Sequence, residues 1–191
     1  MKQDNPVTWD ERYKGNEFLS EKTPTRFLVE KIHLLPKGKA LDIAAGAGRN
    51  SLFLAQQGFQ VEAMDISEQG LKNAQNLFKK KGAEIKTVKA DLENCRIEND
   101  TYDVIGNFYY LQRSLIPKIK RGLKKGGAVI FETYHSGQAE IEGGPKNPEY
   151  LLGDNELLHF FHDFRVIYYR EGIFSEKRRK KALASIIAVK N

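Results

Sequence analysis

The sequence predicts an α/β fold, a three-layer sandwich whose mostly parallel seven-stranded sheet carries an antiparallel hairpin at its carboxyl-terminal end. Three observations predict it. From residue 25 to about residue 135, short apolar runs of strand character alternate with segments of helical period, which is the pattern of right-handed βαβ units. At residues 40–51 an apolar strand runs into the small-residue turn Ala44-Ala45-Gly46-Ala47-Gly48 and then opens an amphipathic helix. The last two apolar runs are separated by a basic stretch too short for a crossover helix, so they pair antiparallel at the sheet edge.

The elements follow in order. Residues 25–35 read as a helix closed by Pro36-Lys37-Gly38. The first strand is residues 40–44, and its helix, residues 50–57, stops at Gly58. The second strand, residues 60–65, ends on Asp65. A helix over residues 67–81 follows, with Ser67 as its N-cap and Gly82 as its C-terminal stop. The third strand is residues 85–90 with Asp91 at its tip, and the fourth is residues 103–107. A helix over residues 111–124 leads through Lys125-Gly126-Gly127 into the fifth strand, residues 128–134. Residues 135–153, rich in Gly, Pro, Asn and Glu, form a loop crossing the carboxyl edge of the sheet. A helix over residues 154–161 precedes the hairpin strands at 164–169 and 183–189.

Composition narrows the function classes. With 191 residues the chain is expected to be one domain, residues 1–36 capping a core of residues 37–191. The formal charge of +6 permits an anionic partner without naming one. Much of that excess is the run Lys177-Arg178-Arg179-Lys180-Lys181, read as a solvated hairpin tip or, alternatively, a phosphate-binding patch. The lone Cys95 excludes an intrachain disulfide and a Cys-rich zinc site, and suits a reducing cytoplasm. The amino terminus lacks a signal-peptide core and no apolar run is long enough to span a membrane, so a cytoplasmic protein is expected. His33, His135, His159 and His162 show no metal spacing, and no metal site is expected.

The carboxyl ends of the parallel strands lie along one edge, where open α/β sheets bind ligands. Small residues at 44–48 let backbone N–H groups approach a ligand, and the helix that opens near Arg49 directs partial positive charge toward it. Asp65 stands where an acidic strand tip accepts hydrogen bonds from the hydroxyls of a ribose. Asp42 is read either as an acceptor for the loop backbone or as a contact for a cofactor amino group. Trp9 and Tyr13, four residues apart, share a helical face: they either form a water-excluding lid, with Arg12 available to a carboxylate, or pin a terminal helix to the core.

The series Leu41-Asp42-Ile43-Ala44-Ala45-Gly46-Ala47-Gly48, Asp65, Ala90-Asp91-Leu92, Tyr102-Asp103-Val104-Ile105-Gly106-Asn107-Phe108 and Leu123-Lys124-Lys125-Gly126-Gly127 resembles class I S-adenosylmethionine-dependent methyltransferases over nearly the whole chain. The fold implied is Rossmann-like, and Ala44 departs from the family by replacing its first glycine. Trp9-Asp10-Glu11-Arg12-Tyr13 is similar to the opening of small bacterial members that include tellurite-resistance and thiopurine or thiol methyltransferases. The resemblance implies S-adenosylmethionine as cofactor. It places Asp42, Ala44, Gly46, Gly48 and Asn50 of the glycine loop around it, with Asp65 and Ile66 after the second strand and Ala90, Asp91 and Leu92 after the third. Asn107 and Phe108 flank it at the fourth strand, and Trp9, Arg12 and Tyr13 close over it.

A methyl acceptor would meet residues beyond the fourth and fifth strands: Tyr109, Tyr110, Arg113, Glu132, Tyr134 and His135, and Gly143-Gly144-Pro145-Lys146-Asn147-Pro148-Glu149-Tyr150 resembles a loop near the substrate in small methyltransferases. His135 is the group there whose ordinary pKa suits a base at neutral pH. No catalytic residue is assigned, because methyl transfer depends on in-line approach and exclusion of water and needs a base only for hard nucleophiles. The expected acceptor is a small molecule, with a thiol or a tellurium or selenium compound favoured by the amino-terminal resemblance. Three rival readings compete with it. A dinucleotide-dependent dehydrogenase is disfavoured because Ser51 replaces the third glycine of that fingerprint. A nucleic-acid methyltransferase lacks its paired prolines after Asn107, so nucleic acid is not an expected partner. A non-enzymatic S-adenosylmethionine-binding protein is the third. Oligomeric state is not legible in the sequence.

Overall fold

The computed structural model describes residues 6–15, 23–176 and 179–191. Seven strands form one sheet: β1 (Lys39–Ile43), β2 (Gln60–Asp65), β3 (Lys86–Lys89), β4 (Tyr102–Phe108), β5 (Leu123–Tyr134), β6 (Arg165–Glu176) and β7 (Arg179–Val189), in the order β3-β2-β1-β4-β5-β7-β6. The first five run parallel, and β7 pairs antiparallel with both β5 and β6. The helices are α1 (Pro6–Lys14), α2 (Arg26–Lys31), α3 (Arg49–Gln56), α4 (Glu68–Lys81), α5 (Ile116–Gly122) and α6 (Glu156–Phe160).

Both faces of the sheet are covered, as a parallel sheet requires. Successive residues of each central strand serve opposite cores: Leu41, Ile43, Ile105 and Phe131 enter one, and Ala40, Val104, Ile130 and the helical Phe27 enter the other. Each fully buried large side chain contributes about 1.5–3 kcal/mol of transfer free energy. The chain leaves β1 to one side toward β2 and later returns to its other side as β4. That reversal opens a crevice at the carboxyl ends of β1 and β4, bounded by the glycine loop on one side and residues 108–110 on the other.

Several boundaries differ from expectation, each for a physical reason. The helix expected over residues 25–35 ends at Lys31 and tightens into a 3-10 turn, Ile32–Leu34. The helix expected from residue 111 begins at Ile116, where Pro117 occupies the first turn and its missing N–H is not needed. Lys125-Gly126-Gly127 is a bulge inside β5 rather than a turn before it: Tyr102 pairs with Leu123 but Val104 pairs with Ala128, and the Gly126 amide donates to the Lys190 carbonyl at 2.8 Å. The hairpin strands run longer than expected, because β7 continues through the basic residues Arg179, Lys180 and Lys181. Strand pairing is made by the backbone, so charged side chains at a hairpin edge do not interrupt it. Lys177 and Arg178 lie outside the described residues. The expected caps of α4 are present: the Ser67 hydroxyl accepts the Gly70 amide at 2.9 Å, and Gly82 is left-handed with φ 63°.

Candidate functional site

The glycine loop is shaped by the strands beneath it. The Ala45 amide donates to the Met64 carbonyl at 3.0 Å and the Gly48 amide to the Ala45 carbonyl at 2.9 Å. The Gly46 amide donates to Asp65 Oδ2 and the Ser67 amide to Asp65 Oδ1, both at 2.8 Å. Asp65 is buried, which pushes its carboxyl up from the usual range against the lowering effect of the Ser67 and Gly46 amides. Ala44, in place of the first glycine, adopts φ 53°. Gly48 is also left-handed, and a side chain there would press on Phe78 at 2.5 Å and Ala74 at 2.8 Å. Its smallness therefore admits the packing of α4 against the loop. Asp42 is buried beneath the loop and accepts the Ser51 hydroxyl at 2.6 Å. Burial pushes the Asp42 carboxyl up to about 7, the Ser51 hydrogen bond opposing it.

Helix α1 docks on the amino-terminal end of α4. Asp10 Oδ1 accepts the Ser67 hydroxyl at 2.6 Å and the Gln69 amide at 3.0 Å, and Asn73 Nδ2 donates to the Tyr13 carbonyl at 3.0 Å. The Ser67 hydrogen bond, ahead of the Gln69 amide, holds the Asp10 carboxyl below its usual range despite slight burial. Tyr13 lies between two glycines: a methyl group on Gly46 would overlap its hydroxyl, and one on Gly70 would stand 3.1 Å from its ring. Burial, reinforced by the Asp65 charge, raises the Tyr13 phenol. Trp9 packs on Tyr13 with ring centroids 6.3 Å apart, and the Arg12 guanidinium lies 4.8 Å from the Trp9 ring centre.

These elements border one cavity of about 1310 Å³, large beside the ~300–1,000 Å³ of ordinary ligand pockets. Of the residues expected around a cofactor, Trp9, Arg12, Tyr13, Ala44, Gly46, Asn50, Asp65, Ile66, Asp91, Leu92 and Phe108 line it. Asn50 also accepts the Thr25 amide at 2.8 Å, tying α2 to α3. Asp42, Gly48, Ala90 and Asn107 are not among the lining residues. The Asn107 side chain is buried and donates to the Tyr110 carbonyl at 2.7 Å, which shapes the chain leaving β4. No cluster of three or more His, Cys, Asp or Glu among the described residues could hold a metal ion.

The sequence profile of tellurite resistance protein TehB matches residues 10–187. The chain belongs to the TehB family. Over 171 residues it is 25% identical to a probable S-adenosyl-L-methionine-dependent methyltransferase TehB of Haemophilus influenzae, covering 84% of this chain and 59% of that protein. A ubiquinone biosynthesis O-methyltransferase of Rickettsia prowazekii is 28% identical over 137 residues, 66% of this chain and 54% of that one. The chain thus spans little more than half the length of the curated relatives it matches. Among solved structures, TehB from Haemophilus influenzae superposes with a TM-score of 0.79 at 22% identity, covering 96% of this chain and 67% of that one. An S-adenosylmethionine-dependent methyltransferase from Methanosarcina mazei gives 0.68 at 19% identity, covering 83% and 96%. The fold is the Rossmann-like methyltransferase fold.

In this TehB-family chain the acceptor-side candidates divide. Tyr109, Tyr110 and Tyr134 line the cavity, the rings of Tyr109 and Tyr134 5.4 Å apart. Arg113 is committed elsewhere, donating to both carboxylate oxygens of Glu156 at 2.6 and 2.9 Å and to the carbonyls of Glu149 and Leu151 at 3.0 and 2.9 Å. That staple holds the loop carrying Gly144, Pro145 and Tyr150 against the cavity. Glu132 is buried within the sheet, accepting the Ser185 hydroxyl at 2.6 Å and Arg170 at 3.1 Å. His135 Nδ1 accepts the Gly137 amide at 3.2 Å, so the ring's proton sits on Nε2, which donates to the Gly172 carbonyl at 3.2 Å. Both ring nitrogens are engaged, and His135 is not a lining residue.

Sequence reasoning missed Arg49, Arg179 and Lys181 as lining residues. A signal for the last two was present. In the antiparallel register Leu183 pairs with Tyr134, and period-two alternation carries the same face outward to Lys181 and Arg179.

Proposed function

We infer that this chain transfers a methyl group from S-adenosylmethionine to a small soft acceptor, a thiol or a tellurium or selenium compound, in the cytoplasm. The observation that carries the reading is that one cavity joins the glycine loop and the buried Asp65 carboxylate to an aromatic wall of Phe108, Tyr109 and Tyr134. The donor set suits the cofactor: a strand-tip carboxylate for ribose hydroxyls, Asp91 for an exocyclic amine, and Arg12 near the glycine loop for a carboxylate.

Bound there, S-adenosylmethionine supplies an electrophilic methyl group on a sulfonium sulfur. The chain's own residues orient and exclude water. Asp65 fixes the ribose end while holding the Gly46 amide in place, and Trp9 and Tyr13 cover the loop from solvent. With His135 engaged through both nitrogens, no histidine stands ready as a base, which suits a nucleophile that attacks without losing a proton at the enzyme's expense. Family membership favours tellurium compounds. The test supplies S-adenosylmethionine with a labelled methyl group to thiols, selenite, tellurite, RNA and DNA in turn. The reading predicts labelled methylated product from one of these acceptors; label transferred only to RNA or DNA, or to nothing offered, would overturn it.

A further inference from the structure

The loop at the β5 end of the cavity is held from behind by a residue that does not line the cavity itself. Gln138 is 1% exposed and belongs to the short 3-10 helix Ser136–Glu140 that follows β5. Pairing of β5 with β7 ends at Tyr134 and Leu183. One residue further, the His135 amide donates to the Ala182 carbonyl at 3.2 Å and the Ala182 amide donates to Gln138 Oε1 at 2.9 Å. The Gln138 side chain thus stands in for the next residue of β5. Because a backbone amide only donates, the oxygen of Gln138 faces β7 and its nitrogen faces the loop. There Nε2 donates to the Gly143 carbonyl at 2.7 Å.

That tie positions a piece of the cavity wall. Gly144 is left-handed, with φ 71°, and a methyl group on it would stand 3.0 Å from Gln138 Nε2 and 3.3 Å from the Tyr134 ring. Gly144 is therefore packed between the Gln138 amide and Tyr134, and Gly144, Pro145 and Tyr134 all line the cavity. Lys146 adds a second tie from the solvent side. Its ammonium donates to the carbonyls of Gln138, Ala139 and Ile141, the first two at 3.1 and 2.9 Å. The last carbonyls of a helical segment carry partial negative charge, and the lysine closes them. The far end of the loop is held by Arg113, through the carbonyls of Glu149 and Leu151.

We propose that Gln138 is a positioning residue for the methyl acceptor: by tying the Gly143 carbonyl to the end of β7, it sets where Gly144 and Pro145 stand over Tyr134 and so the shape of the cavity where the acceptor lies. The inference rests on the methyltransferase reading above. Its effect is confined to the acceptor, because Gln138 ties elements beside β5 and β7, whereas Asp65 and the glycine loop belong to β1 and β2. Releasing the loop lowers the fraction of molecules shaped to receive the acceptor. Apparent acceptor affinity falls by that fraction, and the cofactor site is left as it was.

Gln138→Glu cuts one arm of the tie and spares the other. An ionised carboxylate still accepts the Ala182 amide, but it has no hydrogen for the Gly143 carbonyl and repels that oxygen. The test measures methyl transfer from S-adenosylmethionine, at about pH 8, to whichever of 2-mercaptoethanol, selenite and tellurite wild type methylates best. Gln138→Glu should raise the acceptor KM by about five- to tenfold, with kcat and S-adenosylhomocysteine affinity each within about twofold of wild type. Hydrogen exchange at the Ala182 amide should stay slow, which shows that the β7 arm is intact. Lys146→Met, an exposed change, should raise the same KM by about threefold. An unchanged acceptor KM in Gln138→Glu, or a loss of S-adenosylhomocysteine affinity in step with it, would overturn the proposal. If Gln138→Glu does not fold or loses protection at Ala182, Lys146→Met decides alone, and an unchanged KM there overturns it. Wild type that methylates none of the three acceptors would instead remove the methyltransferase reading, and this inference with it.

Discussion

The Tyr13 ring rests on Gly70, where a methyl group would stand 3.1 Å from two ring carbons. A glycine inside α4 is unfavourable by about 1 kcal/mol relative to alanine, so its presence there reflects the ring it admits. Gly70→Ala therefore sets helix propensity against crowding. We expect thermal stability to change by less than about 1 kcal/mol, while displacement of α1 weakens S-adenosylhomocysteine binding by about tenfold. Paired melting and calorimetric measurements check this; unchanged affinity would mean that α1 takes no part in the cofactor site.

Ala44 holds φ 53° without being glycine. Left-handed backbone costs an L-residue about 1–2 kcal/mol, partly offset in a glycine variant by the greater entropy of its unfolded chain. Ala44→Gly should raise stability by up to about 1 kcal/mol in denaturant melts. A loss of stability would show that the methyl group's packing outweighs the strain.

The buried Asp42 carboxyl, pushed up to about 7, makes a defined contribution to pH dependence. Between its ordinary value, 3.8, and about 7 the folded chain binds a proton that the unfolded chain has lost. Stability from this group is therefore fully present below about pH 4 and falls as pH rises toward about 7. Carboxylates with lowered values, such as Asp10 and Glu156, act in the opposite sense at lower pH. The difference in unfolding free energy between wild type and Asp42→Asn isolates the effect. It should decline by several kcal/mol across that window and flatten above it. A difference independent of pH would contradict an ionising Asp42.

Arg113 joins β4's exit to the loop and to α6 through four hydrogen bonds. Because the pair with Glu156 is half-exposed, Arg113→Ala should cost only about 1–2 kcal/mol. It should raise the acceptor KM several-fold by loosening the loop bearing Tyr150, with S-adenosylhomocysteine affinity unchanged. A fall in kcat at constant KM would point instead to direct contact with the reacting groups.

The parallel core was legible because each strand is bounded by its own punctuation: Gly38 before β1, Gly58 before β2, Ser67 and Gly82 around α4. Asp65 was legible for the same reason, since a strand end fixes where its last side chain points. What escaped were contacts made across the sequence. Arg113 and His135 looked available as isolated residues, yet Arg113 is used by Glu156, 43 positions away, and His135 by Gly172, 37 positions away. Gly48 matched the glycine loop by spacing, but its neighbours are Phe78 and Ala74 of α4. The basic run that holds Arg179 and Lys181 reads by composition as a solvated tip or a phosphate-binding patch, and only the alternation of β7 brings these two residues to the cavity.

The most direct test of the account is calorimetric titration of S-adenosylhomocysteine into wild type and Asp65→Ala, with NAD titrated in parallel. The account predicts roughly micromolar binding by wild type, at least about tenfold weaker binding by the variant, and no response to NAD. Absence of binding by wild type, equal binding by the variant, or binding of NAD in its place would contradict the cofactor site built on Asp65 and the glycine loop.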